Sequence, residues 1–138
     1  MAVEQHIISD SVPALFRENM RVKDIREDRN EKCVEITIEL LPEYLDQYGN
    51  MHGSVLAFLS IIAAEATAKM FGLSEEGYLV ALSHTTNFIS QPEMLGDLVL
   101  RSCVAGKGER VIHVHTIVEC EGRELANALT MFVVEQRV

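Results

Sequence analysis

Residues 53–71, Gly53-Ser54-Val55-Leu56-Ala57-Phe58-Leu59-Ser60-Ile61-Ile62-Ala63-Ala64-Glu65-Ala66-Thr67-Ala68-Lys69-Met70-Phe71, decide how the rest of the chain is arranged. A helix through them carries apolar side chains on nearly every face, and Ser54, Ser60, Glu65, Thr67 and Lys69 are its only polar ones. An ordinary surface helix buries one stripe, whereas a helix apolar all round is stable only when other structure wraps it. The run Val55 to Ala64 is interrupted by Ser60 and stopped by Glu65, and it is too short to span a bilayer, which takes about 20 apolar residues. Gly72 is placed to end the helix.

The wrapping material lies on both sides of this segment. From Lys32 to Leu40 the chain alternates, with Val34, Ile36, Ile38 and Leu40 on one side and Glu35, Thr37 and Glu39 on the other. That pattern predicts a half-buried strand ending at Pro42. A loop rich in turn formers follows, from Glu43 to Gly53. Beyond the helix, Tyr78 to Ile89, Asp97 to Val104, Arg110 to Cys120 and Arg123 to Glu135 are rich in β-branched or alternating residues. Gln91-Pro92 through Gly96, Gly106-Lys107-Gly108 and Glu121-Gly122 punctuate them, and the last two gaps suit hairpins. Near the start, Ser11 and Pro13 predict a short helix carrying Val12, Leu15 and Phe16. The expected architecture is one α+β domain over residues 1–138, a long central helix wrapped by a curved antiparallel sheet of about five strands.

Composition narrows the function classes. The 138 residues are 48% hydrophobic and 6% aromatic without Trp, so the core is aliphatic. Twelve basic and 21 acidic residues give a formal charge of −9, a field that repels a phosphate backbone and argues against nucleic-acid binding. The basic residues are unevenly placed: six lie between Arg17 and Lys32, five from Arg101 onward, and Lys69 stands between. A local positive site for a polyanionic ligand therefore remains possible in the C-terminal half. Cys33, Cys103 and Cys120 form an odd, scattered set with no CxxC pair, read most simply as core residues of a cytoplasmic protein. Met1 to Asp10 has neither a basic flank nor a long apolar run, so no signal peptide and no membrane anchor are expected there.

The loop before the helix reads Asp46-Gln47-Tyr48-Gly49-Asn50-Met51-His52-Gly53-Ser54. This resembles the hotdog acyl-CoA thioesterase superfamily, in which an Asn or Asp followed by x-x-Gly-x-x-His-Gly-Gly precedes the central helix. Asn87-Phe88 with Pro92, Gly96-Asp97, and Gly122-Arg123-Glu124-Leu125-Ala126 extend the resemblance, which covers the chain from about Lys32 onward. It implies the hotdog fold, an acyl-CoA substrate, no cofactor beyond the CoA of substrate and product, and an active site at the interface of a homodimer or homotetramer.

The chemistry suits the motif. Thioester hydrolysis needs preorganised N–H donors for the carbonyl oxygen and a carboxylate that attacks or activates water. The first N–H groups of a helix have no partner inside it and sit at its positive dipole end. Gly53 is therefore the candidate oxyanion donor, which is also the role the resemblance implies. Asp46 and Gly49 match the Asp-x-x-Gly segment of the branch similar to 4-hydroxybenzoyl-CoA thioesterases, which implies Asp46 as nucleophile or general base. The branch similar to phenylacetyl-CoA thioesterases carries its carboxylate on the helix, nine residues after the His, where this chain has Ile61. Either the carboxylate has moved to Asp46 or the site has lost hydrolysis. Glu65, one turn beyond Ile61, is a weaker substitute, and His52 and Asn50 are candidates for orienting the substrate. Ser54 departs from the second Gly of the motif.

Each of these residues has a plainer reading. Asp46 suits a solvated turn, and Glu65 suits a polar partner across a subunit interface. His113 and His115 share one face of a strand but lack an evident third ligand, so no metal is expected. Arg101, Lys107 and Arg110 flank a hairpin; they are either ordinary surface residues or the groups that hold the CoA phosphates. Two function classes stay open: an acyl-CoA thioesterase, and a non-catalytic acyl-CoA binding or sensing protein. A hydratase of the same fold is disfavoured, because no Pro lies between Asp46 and His52.

Overall fold

The computed structural model describes residues 20–72 and 77–136. The helix expected near Ser11 lies outside these. Strand β1 (Val22–Asp28) is followed by β2 (Cys33–Ile38), a 3-10 turn (Pro42–Tyr44) and helix α1 (Gly53–Gly72). Then come β3 (Gly77–Phe88), β4 (Leu98–Lys107), β5 (Val111–Cys120) and β6 (Arg123–Gln136). The strands form one antiparallel sheet in the order β1-β2-β4-β5-β6-β3, and α1 lies across it. This is the hotdog fold.

Alternation decides which residues face the helix. Val34, Ile36 and Ile38 of β2, Leu98 and Leu100 of β4, Ile112, Val114 and Val118 of β5, and Phe132 of β6 are all buried beneath it. From above, Leu56, Leu59, Ile62, Ala63 and Ala66 pack with the β2 and β4 residues and Val118, while Ala64 and Ala68 form a second cluster with Ile112, Val114 and Phe132. Each large aliphatic side chain taken from water stabilises the fold by about 1.5–3 kcal/mol, so truncating Leu56 to Ala costs about 2–5 kcal/mol. Ala63, Ala64, Ala66 and Ala68 keep the facing surface of α1 thin, and the helix lies close on the strands. Gly72, the last described residue of the helix, serves the same purpose: a Cβ there would collide with the end of the Ile112 side chain, which would have to shift. By length and composition α1 would suit a membrane, with mean hydropathy 1.6, yet half of that window is buried inside the fold.

Polar groups inside the core are paired. Ser60 Oγ donates to the Leu56 carbonyl at 2.8 Å. Thr67 Oγ1 lies 3.0 Å from the Ala63 carbonyl and 3.2 Å from that of Ser102. Thr116 Oγ1 donates to Ser102 Oγ at 3.1 Å. Each bond removes the penalty of a buried unsatisfied hydroxyl.

The sheet has six strands, one more than the alternation announced. The added strand is β1, whose sequence Val22-Lys23-Asp24-Ile25-Arg26-Glu27-Asp28 is mostly charged and whose register shifts between Val22 and Asp24. That shift breaks the period of two. At the other edge, β3 runs for 12 residues, pairs only with β6 among the described strands, and exposes Tyr78, Val80 and Leu82. The cysteines also differ from expectation. Cys33 and Cys103 face each other across β2 and β4 and are bonded as a disulfide, while Cys120 is a buried free thiol whose pKa burial pushes up. The pairing arises because the strand order sets β4 beside β2, which sequence distance alone conceals.

Candidate active site

The loop Leu45–Met51 is closed by a bridge between its end residues, and Asp46 organises its interior. Asp46 Oδ1 accepts the backbone N–H groups of Tyr48 at 2.8 Å and Asn50 at 3.0 Å. The Asp46 N–H donates to the Asn50 carbonyl at 2.7 Å, and the Gly49 N–H donates to the Asp46 carbonyl at 3.1 Å. The turn passes through Gly49 at φ +81°, a left-handed conformation that glycine adopts without strain. Asp46 thus has the turn role open to it from sequence, while its Oδ2 carries no hydrogen bond among the described residues.

The loop is tied to the body at two further points. The Met51 N–H donates to Gln91 Oε1 at 2.8 Å, and the His52 N–H donates to the Tyr44 carbonyl at 2.9 Å. His52 then opens α1, its carbonyl accepting the Val55 N–H at 3.1 Å and the Leu56 N–H at 3.2 Å. The N–H groups of Gly53 and Ser54 are left without an acceptor among the described residues. They are adjacent, fixed by the helix, and set at its positive end. His52 and Asn50 are exposed beside them.

Phe88, at the end of β3, covers one flank. Its ring lies so near Gly53 that a Cβ there would approach Cζ to 3.2 Å. The absent side chain at Gly53 therefore makes room for the aromatic ring. On the other flank, Met20, Glu43, Tyr44, Ser54, Val55, Phe58 and Leu59 line a cavity of about 320 Å³. Tyr44 is buried there, and desolvation, with the Glu43 carboxylate adding to it, raises its phenol above the usual pKa.

The remaining candidates lie elsewhere in the chain. Glu65 is half-buried on α1, about 18 Å along the axis from Gly53 at 1.5 Å per residue. Arg101 points from the outer face of β4 and pairs with Glu35 at 3.5 Å and Asp28 at 3.9 Å. Lys107 and Arg110 bound the β4–β5 hairpin, and Arg110 pairs with Glu135 at 2.9 Å. That hairpin is at the far end of the sheet: Gly72 packs on Ile112 there, whereas Gly53 packs on Phe88. One chain therefore separates the Gly53 N–H from Lys107 and Arg110 by about the 30 Å length of α1. His113 and His115 stand on the outer face of β5, and no group of three metal-ligating side chains occurs among the described residues.

A polar cluster without a sequence forewarning lies on β3. The two ring nitrogens of His84 hydrogen-bond Thr130 Oγ1 at 2.7 Å and Thr86 Oγ1. Burial holds this imidazole below the usual histidine pKa. Gln91 was equally silent: only the fold shows that its side chain serves the Met51 backbone.

No protein-family model matches the sequence, and no curated protein matches it. Solved structures do share its fold. A thioesterase from Haemophilus influenzae superposes with a TM-score of 0.79 at 16% identity, over 96% of this chain and 90% of that one. A hypothetical thioesterase from Streptococcus pneumoniae, determined with coenzyme A, gives 0.74 at 22% identity over 95% and 97%. A mutant phenylacetic acid degradation protein from Thermus thermophilus gives 0.72 at 19% identity over 86% and 97%. The fold is that of thioesterase-family hotdog proteins.

Proposed function

We propose that this hotdog chain hydrolyses an acyl-CoA thioester to a carboxylic acid and CoA at the start of α1. The observation that carries the reading is the pair of unpartnered N–H groups at Gly53 and Ser54 beside the Asp46 carboxylate loop. The thioester carbonyl oxygen accepts the Gly53 N–H and gains negative charge as water adds to the carbonyl carbon. Asp46 Oδ2 takes the proton of that water, or attacks the carbon itself to give an anhydride that water then cleaves to acid and free carboxylate; Oδ1 stays engaged by Tyr48 and Asn50, which fixes the carboxylate plane. The C–S bond then breaks, and the departing CoA sulfur recovers a proton. His52 and Asn50, both exposed at the rim, orient the thioester. Oriented donors in a fixed site stabilise the developing oxyanion more than mobile water does.

A second copy completes the site in this reading. The exposed edge of β3 offers a row of backbone groups to an identical strand. Antiparallel pairing of two β3 edges sets the partner's β4–β5 hairpin at the Gly53 end, about three strand spacings or 14 Å from Phe88. The partner's Lys107 and the partner's Arg110 are then placed to meet the CoA phosphates. The coenzyme A bound to the pneumococcal neighbour supports that class of ligand. A homodimer, or a tetramer of such dimers, in the cytoplasm is the proposed working form.

The deciding experiment is release of free thiol from a panel of acyl-CoAs, with Asp46→Asn alongside. Turnover lost in the variant supports hydrolysis through Asp46. A second reading, a non-catalytic acyl-CoA binder, is favoured by Ile61 at the helix-carboxylate position and by the turn role of Asp46. Tight binding of acyl-CoA that survives unhydrolysed would select it.

A further inference from the structure

We propose that the cavity beside the first two turns of α1 is the acyl pocket, and that it selects a compact, uncharged group: a single ring or a medium-length alkyl chain. The inference rests on the acyl-CoA reading and names the substrate class of that same site.

Position comes first. Gly53 faces Phe88, while Ser54, Val55, Phe58 and Leu59 turn to the opposite side of the helix, at about 100° per residue. Ser54 joins the two sides: its N–H is one of the free donors and its side chain lines the cavity. A carbonyl oxygen held at these donors therefore lies between Phe88 and the cavity mouth, and the acyl chain has a direct way in.

Size comes next. The volume is about 320 Å³. A cavity of about 150 Å³ admits benzene, and pockets for drug-sized ligands begin at roughly 300 Å³. A ring with a few methylenes fits; a long fatty chain does not. The wall of Met20, Tyr44, Val55, Phe58 and Leu59 is apolar and rewards each methylene that enters.

Charge sets the last condition. Glu43 lies on the same lining, exposed, with no ion pair or side-chain hydrogen bond among the described residues. An acyl group ending in a carboxylate meets a like charge there, whereas a terminal hydroxyl finds an acceptor.

The test compares kcat/KM for acetyl-, hexanoyl-, octanoyl-, palmitoyl-, phenylacetyl- and succinyl-CoA in wild type, Val55→Trp, Phe58→Ala and Glu43→Gln. The expected wild-type optimum is octanoyl or phenylacetyl. Val55→Trp moves it to shorter groups by about 10-fold or more, and Phe58→Ala moves it to longer ones. Glu43→Gln raises succinyl-CoA turnover selectively. Unchanged chain-length profiles in folded Val55→Trp and Phe58→Ala proteins overturn the pocket. If no acyl-CoA is turned over, the hydrolysis reading fails by itself, and calorimetric titration with the thioether octyl-CoA against CoA still decides the pocket. An octyl gain of about tenfold that Val55→Trp abolishes sustains it; equal affinities refute it.

Discussion

The ring of Phe88 lies against Gly53, so the last residue of β3 and the first of α1 share one surface. An alanine at 53 would bring its Cβ to 3.2 Å from the ring, and the exposed Phe88 must give way by a few tenths of an ångström. Gly53→Ala is expected to change stability by no more than about 1 kcal/mol, because the gain in helix propensity offsets the crowding. Its kcat should fall much further, since the displaced ring borders the Gly53 N–H on which the proposed hydrolysis relies. Thermal melts and turnover measured together check this; a proportionate loss of both would assign the contact to folding alone.

In the proposed reaction Asp46 has a second task besides holding its turn, and different substitutions separate the two. Asp46→Ala removes the acceptor of the exposed Tyr48 and Asn50 N–H groups, at a cost of about 0.5–1.5 kcal/mol for each bond lost to water. Asp46→Asn keeps an acceptor oxygen and removes the charge. Its kcat is expected to drop about 100-fold or more with the melting temperature nearly unchanged. An Asn variant with full activity would leave Asp46 only its turn.

His84 makes stability depend on pH. Burial lowers its folded pKa below the range of a solvated imidazole, so the unfolded chain takes up a proton more readily. The His84 contribution to stability is therefore complete above the unfolded pKa and declines as pH falls through the interval down to the folded one. His84→Gln should flatten that part of the profile. Melting curves between neutral and mildly acidic pH read the difference, and an identical slope in the variant would discount this imidazole.

The Cys33–Cys103 link spans a sequence separation of 70. Constraining so long a loop in the unfolded chain is worth about 4 kcal/mol in the chain-entropy model. Reduction, or Cys103→Ser, should lower the unfolding midpoint accordingly without moving the site loop. In a reducing cytoplasm the pair would be held as two thiols, so the oxidised and reduced proteins both need measuring.

A charge on the β3 edge should break the proposed dimer. Val80→Glu or Leu82→Glu changes exposed side chains, leaves β3·β6 pairing in place, and is expected to give a folded monomer with little turnover. Light scattering with activity on the same fractions tests it; an active monomer would remove the partner from the site.

What was legible in the sequence was whatever depends on short-range period. The helix Gly53–Gly72, the strand at Val34 to Ile38 and the four later strands follow from alternation and turn residues. So does the Glu121-Gly122 hairpin, where φ values of 50° and 77° match a two-residue turn. The motif around Asp46 and His52 was visible as well, and the structure sets Asp46 and Asn50 in the loop that leads through His52 into the helix at Gly53. β1 was hidden because edge strands carry charge and its register slips. The disulfide, the Gln91 cap and the Thr86–His84–Thr130 cluster depend on strand order, which no local pattern encodes. The separation of Lys107 and Arg110 from Gly53 was hidden for the same reason: it follows from strand order and not from sequence distance.

The strand order has a consequence for how the chain reaches this state. β4, β5 and β6 are joined by short hairpins and can pair as soon as they meet, as can β1 and β2. β2 must find β4, and β3 must find β6, across tens of residues, with α1 intervening between the partners of the first pair. Closing such loops precedes the contacts that reward it, which places folding in the millisecond-to-second range of sheet-rich topologies. The β4–β6 meander pairs locally, and the helix start with the Asp46 loop is enclosed only when the two distant pairings close around it.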